Sequence, residues 1–219
     1  MSKLTGAFGL FNPSKEAVMR SSTAFLFIVF LPTFITLIGQ ILTQKTNVNV
    51  SGNDIQSFSR AIETHPLYSV GSLLTLILMP AGFYIELIAA KGKEVHLTKS
   101  LQDSMKYFWR LIGLIFLVAI IVIAGLILFI VPGIIFIRRY FLSPYFLIDR
   151  NLGIKEAMRA SANATKGKPG AVWDIIGVII LLSLFNIIPI WGGLISIILL
   201  TLYTCAPAIR YLELTKSKS

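Results

Sequence analysis

Six blocks of apolar residues, at 22–42, 67–90, 108–131, 134–148, 171–190 and 192–211, leave this chain few folds to choose from. A helix needs a run of about 20 such residues to cross a hydrocarbon core roughly 30 Å thick, and most of the blocks come close to that length. Lipid offers the backbone no hydrogen-bond partner, so each block is expected to satisfy its own amides and carbonyls as a helix. Composition agrees: 55% of the 219 residues are apolar, against roughly 45–50% in a soluble domain, and the mean hydropathy is +0.79. The expected fold is therefore all-α, a polytopic membrane protein with one integral membrane domain over 1–219. The first block follows a polar stretch holding Lys3, Lys15, Glu16 and Arg20, and no small-residue cleavage site follows a short apolar core, so it reads as a retained span. Cys205 lies inside the last block and reads as a packed thiol, not as part of a disulfide framework.

The formal charge of +10 raises the question of a nucleic-acid partner, and the placement of the charges answers it. If the amino terminus faces the cytoplasm, sixteen of the 20 basic residues fall on that side. They include Lys91, Lys93, Lys99, Lys106 and Arg110, then Arg150, Lys155, Arg159, Lys166 and Lys168. Only Lys45 and Arg60 fall on the other side, while Arg138 and Arg139 lie within the fourth block. That asymmetry is the positive-inside pattern, with both termini cytoplasmic. The expected partners are membrane lipids with anionic headgroups, together with a membrane or peripheral protein, and no nucleic acid. Each basic residue near such a leaflet contributes about 1 kcal/mol.

The segment 44–66 is the one long outer loop. Within it 54–63 has helical spacing behind Asn53, and Asn49-Val50-Ser51 matches a glycosylation acceptor. Val131-Pro132-Gly133 and Pro189-Ile190-Trp191-Gly192-Gly193 read as tight outer turns. On the inner side, 152–166 reads as an amphipathic helix capped by Asn151. Ile154, Ala157, Met158, Ser161 and Thr165 line one face, and Lys155, Glu156, Arg159, Asn163 and Lys166 the other.

A spacing of about 65 residues recurs. Pro80-Ala-Gly-Phe-Tyr-Ile-Glu86, Pro144-Tyr-Phe-Leu-Ile-Asp149 and Pro207-Ala-Ile-Arg-Tyr-Leu-Glu213 each place a carboxylate five or six residues after a proline. Lys15-Glu16-Ala17 with Ser21 matches Lys155-Glu156-Ala157 with Ser161, and 99–110 is a looser counterpart. Together these predict six transmembrane helices arranged as three pseudo-repeated hairpins, each preceded by a cytoplasmic amphipathic segment. Pro80, Pro144 and Pro207 are expected to kink their helices at equivalent depths.

Val131-Pro132-Gly133, an arginine at Arg138 or Arg139, Pro144, Asp149, and Glu156-Ala157-Met158-Arg159-Ala160-Ser161 running to Thr165-Lys166-Gly167 form an ordered set. In this it resembles the membrane domain of glycerophosphoryl diester phosphodiesterases and its stand-alone bacterial relatives, with Ala162 where that family usually has tryptophan. The resemblance implies a prokaryotic plasma (inner) membrane protein tied to lipid or envelope metabolism. It does not imply catalysis, which in fused relatives belongs to a separate soluble domain.

The candidate intramembrane polar site is Arg138, Arg139, Glu86 and Asp149. Counted from Gly133, the arginines lie about 8–9 Å below the outer turn. Three placements are open to them: reaching the outer headgroups, pairing inward with a carboxylate or a proline-freed carbonyl, or forming a site for a substrate or lipid phosphate. Glu86 is the one acid deep enough to suggest a proton relay, and an interfacial position is its other reading. The candidate anionic-lipid contact is Lys155, Arg159, Lys166 and Lys168. His65 and His96 fall on opposite sides, no metal-ligand spacing or catalytic motif appears, and no cofactor is expected. The sequence thus points to a non-enzymatic membrane scaffold or lipid-associated partner. A small transporter or export component, with its site near Arg138 and Arg139, is the alternative.

Overall fold

The computed structural model describes residues 4–45, 66–188 and 191–216, and all the regular elements among them are helices. In chain order these are α1 (Phe11–Arg20), α2 (Ser22–Phe25), α3 (Leu31–Lys45), α4 (Pro66–Ala90), α5 (Leu97–Met105), α6 (Phe108–Leu128), α7 (Ile130–Tyr140), α8 (Ser143–Asp149), α9 (Ile154–Thr165), α10 (Gly170–Ser183), α11 (Gly192–Tyr203) and α12 (Ala206–Lys216). Six stretches are long and apolar enough to cross a membrane: Ser22–Gly39, Ser69–Ala90, Phe108–Leu128, Ile130–Asp149, Gly170–Ile187 and Gly192–Lys216. They pack pairwise in chain order, and the short polar helices α1, α5 and α9 each precede one pair.

Proline explains most of the irregularity in the spans. In the first, Pro32 has no amide to give the Ile28 carbonyl, and the helix widens into a π-turn over Leu26–Phe30. Thr33 Oγ1 then donates to the Val29 and Phe30 carbonyls at 2.5 and 2.9 Å. The fourth and sixth spans break outright, between α7 and α8 and between α11 and α12. Pro144 and Pro207 are the second residues of the halves that follow, where a missing amide costs nothing. Pro80 instead sits inside α4, which runs on without a break. The three prolines therefore act differently, and the expected set of equivalent kinks is replaced by two breaks and one continuous helix.

A broken helix leaves carbonyls without amides, and serines fill them. The Tyr140 carbonyl accepts from Ser143 Oγ at 2.7 Å, and the Arg139 carbonyl accepts from Ser161 Oγ of α9 at 2.6 Å. In the sixth span the Leu202 carbonyl accepts from Ser14 Oγ of α1 at 2.8 Å, and Ser14 Oγ in turn accepts the Cys205 amide at 3.1 Å. Each break is thus closed by a short polar helix that belongs to a different hairpin.

The second hairpin does not turn where its Pro-Gly pair suggested. Phe129 is the single extended residue between α6 and α7, with φ −158° and ψ 138°. Pro132 and Gly133 already lie in the first turn of α7. Gly133 is there for close approach, because a Cβ on it would lie 2.8 Å from the Leu126 amide nitrogen. The fourth span therefore runs over Ile130–Asp149, longer than the expected 134–148. The 54–63 helix with Asn53, the Asn49 acceptor, Arg60 and His65 lie outside the described residues, as do Pro189 and Ile190.

Burial concentrates toward one end of the bundle. Leu111, Leu114, Leu142 and Leu147 are fully covered, whereas Ile127, Leu128, Phe129 and Ile130 at the hairpin tip are exposed and suited to lipid. Replacing Ser161 with alanine removes the hydroxyl that closes the fourth-span break. Ser161→Ala should destabilise the purified protein by about 1 kcal/mol, read as a lowered unfolding midpoint in detergent, without loss of helix content.

Candidate functional site

Glu86 lies four residues from the end of α4, about 6 Å along the axis at 1.5 Å per residue. It is 9% exposed, buried within the protein. A carboxylate in such a place needs partners, since an ionisable group within a spanning segment is costly when unpaired. Both oxygens have one. Tyr145 of α8 donates its hydroxyl to Oε2 at 2.6 Å, and Thr204, at the sixth-span break, donates to Oε1 at 2.8 Å. One side chain thereby joins the second, fourth and sixth spans.

A second carboxylate repeats the pattern closer to the helix ends. Asp149 accepts the Tyr211 hydroxyl of α12 at 2.5 Å and pairs with Lys91, just past α4. Between the two acids the rings interlock. Tyr145 stacks on Tyr211 at 6.1 Å, and Phe146 meets Tyr211 edge-on at 4.8 Å. The carboxylate that follows Pro207, Glu213, accepts from Arg210 Nη1 at 2.7 Å. Arg210 is 1% exposed and gives Nη2 to the Thr5 carbonyl at 2.7 Å, which ties the amino-terminal segment to α12.

The arginine pair stands apart from these acids. Arg138 and Arg139 occupy the last turn of α7, eight and nine residues beyond Ile130 and so about 12–14 Å from its amino-terminal end. That is deeper than the 8–9 Å counted from Gly133, because the helix begins before the proline. Among the described residues neither makes an ion pair. Arg139 is exposed, and Arg138 is half-buried with its Nε buried and lacking a hydrogen bond. The four candidate residues therefore separate. Glu86 and Asp149 share the same three spans, while the arginines sit at the break where α7 presents its negative carbonyl end.

Two cavities adjoin Glu86. One, of about 360 Å³, is lined by Phe83, Glu86, Phe141, Tyr145, Tyr203 and Thr204 together with aliphatic residues of the fifth and sixth spans. The other, of about 140 Å³, lies between the first two spans beside the π-turn, with Thr33 and Thr75 in its wall. Glu86 and Phe83 border both.

The basic helix α9 packs one face on the bundle, with Ala157, Met158, Ser161, Ala164 and Thr165 buried and Ile154 half-buried. Lys155, Arg159 and Lys166 are exposed, and Lys168 is half-buried. Its cap differs from expectation. Asn151 has φ +49° and accepts from Arg110 Nη1 at 2.8 Å, which leaves Gly153 as N-cap. The Gly153 amide donates to Glu156 Oε2 at 3.1 Å. Beside α5, the hydrogen bond from Lys106 holds the Asp103 carboxyl below its ordinary range, and the same bond raises Lys106. Among the described residues no cluster of His, Cys and carboxylates is placed to hold a metal, and His96 is exposed.

Sequence reasoning named Glu86 and Asp149 but missed their donors. Tyr145 and Tyr211 carried a faint signal, lying one residue after Pro144 and four after Pro207. Thr204 and Lys91 carried none, because a single hydroxyl or a chain-end lysine is ordinary until the helices meet.

Comparison with known proteins places these features in context. The sequence model of an uncharacterised protein family, UPF0259, matches residues 67–203. The chain is 26% identical over 181 residues to a "UPF0259 membrane protein" of Yersinia pestis (strain Pestoides F) and, to the same degree, to one of Yersinia pseudotuberculosis serotype O:1b (strain IP 31758). Each match covers 79% of this chain and 66% of the relative, so the chain spans just under two thirds of those curated relatives. No solved structure matches. These findings overturn the resemblance to the membrane domain of glycerophosphoryl diester phosphodiesterases, to which nothing in the comparisons points. The motif that suggested it lies within the matched residues and is accounted for by a hairpin, a broken span and a docked helix.

The Glu86 geometry sets a graded expectation. Glu86→Ala strips two buried hydroxyls of their acceptor and should destabilise the purified protein by about 2–4 kcal/mol, whereas Glu86→Gln keeps an acceptor and should stay within about 1 kcal/mol of the parent. Unfolding midpoints in detergent measure both.

Proposed function

The chain belongs to the UPF0259 family, and from that premise we propose that this multi-pass membrane protein is a non-enzymatic scaffold that gathers anionic lipid at its cytoplasmic face. The carrying observation is the two-sidedness of α9. One face is fixed to the bundle through Ser161 and the Arg139 carbonyl at 2.6 Å. The other holds Lys155 and Arg159 exposed along the helix, with Lys166 exposed just past its end. A rigidly held row of cations contributes about 1 kcal/mol per residue toward an anionic leaflet. Lys168 follows it into the loop before α10.

The same reading has three hairpins descended from one repeated unit, an inner-membrane location and both termini in the cytoplasm. The repeat is supported by the way α1 and α9 close breaks at Leu202 and Arg139, each in the residue before a Tyr-x-x-x-Pro sequence at Tyr203 and Tyr140. The alternative, a transport path through Arg138 and Arg139, lacks comparable support, because the cavities beside Glu86 are lined by other residues.

Lipid retention tests the central claim. Native mass spectrometry of the protein purified in mild detergent should find phosphatidylglycerol or cardiolipin bound in preference to phosphatidylethanolamine. The combined Lys155→Gln, Arg159→Gln and Lys166→Gln substitutions should weaken that binding by about two orders of magnitude. Equal retention by the triple variant sinks the proposal. Orientation is tested in a Cys205→Ala background: in intact cells Trp191→Cys should react with an impermeant thiol reagent, and Arg159→Cys should react only after permeabilisation.

A further inference from the structure

The larger cavity beside Glu86 has a chemistry of its own, independent of the basic face. We infer that it is a binding site for a small lipophilic organic cation, with Glu86 as counter-ion. Its volume of about 360 Å³ falls in the range of roughly 300–1,000 Å³ typical of small-molecule sites. Phe83, Phe141, Tyr145 and Tyr203 supply rings, and Ile179 and Leu200 supply aliphatic wall.

The sign of the ligand follows from which hydrogen-bonding groups are already used. The Tyr145 hydroxyl and the Thr204 hydroxyl both donate to Glu86, at 2.6 and 2.8 Å. The Tyr203 hydroxyl donates to the Ala7 carbonyl at 2.9 Å. Every hydroxyl in the wall has thus committed its proton within the protein, and what remains turned to a guest is acceptor. A carboxylate has about four lone-pair directions, of which these bonds use two. Aromatic faces add the negative side of their quadrupole, which attracts ammonium-type cations. An anion meets no free donor there.

Calcium fits poorly on different grounds, since it takes roughly 6–8 oxygen ligands and the wall offers one carboxylate and three hydroxyl oxygens. A cation that is mostly hydrocarbon fits both halves of the lining. Its charge meets Glu86, and its apolar body meets rings and aliphatic side chains. Because Glu86 also borders the smaller cavity by the π-turn, the carboxylate is reachable from the first hairpin as well.

Equilibrium dialysis of the full chain in neutral detergent, with radiolabelled benzyltrimethylammonium as probe, tests the site. One saturable site per chain is expected. Binding should weaken at least tenfold in Glu86→Gln, which removes the charge, and at least tenfold in Ile179→Phe, which fills the cavity. Neopentylbenzene, the uncharged carbon isostere, should not displace the probe at equal concentration, and Lys155→Gln should bind it as the parent does. Unfolding midpoints identify variants that fold, with Leu200→Phe as a second way to fill the space. Unchanged binding in folded Glu86→Gln, unchanged binding in the folded cavity-filling variants, or displacement by the neutral isostere each overturns the inference.

Discussion

Inside a bilayer an apolar side chain gains little by leaving lipid for another apolar side chain, so oily surfaces alone do not choose how spanning helices meet. Polar groups do choose, because one left facing hydrocarbon is costly. In this protein that selection falls on Glu86. Its two oxygens take one hydroxyl from the fourth span and one from the sixth, so the second helix of each hairpin is drawn to a common point. Asp149 repeats the linkage toward the helix ends through Tyr211 and Lys91. The aromatic packing of Tyr145, Phe146 and Tyr211 fills the space between the two acids and belongs to an arrangement the acids have already set.

The breaks in the fourth and sixth spans follow from the same logic. The breaks ahead of Pro144 and Pro207 leave backbone carbonyls without helical amides, and such a carbonyl in a spanning segment must find another donor. Ser161 and Ser14 provide it from α9 and α1, helices that are polar on one face and buried on the other. Docking and break repair are therefore one event: each short helix is held to the bundle by the defect it corrects. Matching Lys15-Glu16-Ala17 to Lys155-Glu156-Ala157 also aligns burial, with Ala17 and Ala157, Val18 and Met158, and Ser21 and Ser161 all covered. The hydrogen bonds do not keep that register, since Ser14 closes one break and Ser21 accepts the Val95 amide at 3.2 Å instead.

How much of this could be read beforehand depends on the range of the interaction. Hydropathy is a property of a local run, and it placed all six apolar blocks on spanning helices. The two-faced pattern of α9 is local for the same reason, a 3.6-residue period, but that the covered face meets the bundle is not. The hairpin at Phe129 was not. Pro132-Gly133 carries a turn's composition, yet proline is equally at home in the first turn of a helix, and glycine serves close packing as well as reversal. The depth of the arginines was misjudged with it. The burial of Glu86 was hidden because its donors come from residues 59 and 118 positions away.

Two arginines near mid-span without a carboxylate partner still require an account, and the break supplies one. A continuous fourth helix would carry Arg138 and Arg139 past a fully bonded backbone, with nothing but distant headgroups to meet their charge. Ending α7 at Tyr140 instead gathers its final carbonyls in the same turn as the arginines. The negative end of a helix dipole favours a cation there by about 0.3–1 kcal/mol at an exposed site, and by up to ~2 where water is excluded. Only some of those carbonyls are occupied: Ser143 and Ser161 bond those of Tyr140 and Arg139. The break in the span and the arginines that precede it are thus complementary features of one segment, and a fourth span continuous through Tyr140 would lack the local field that makes the charges tolerable.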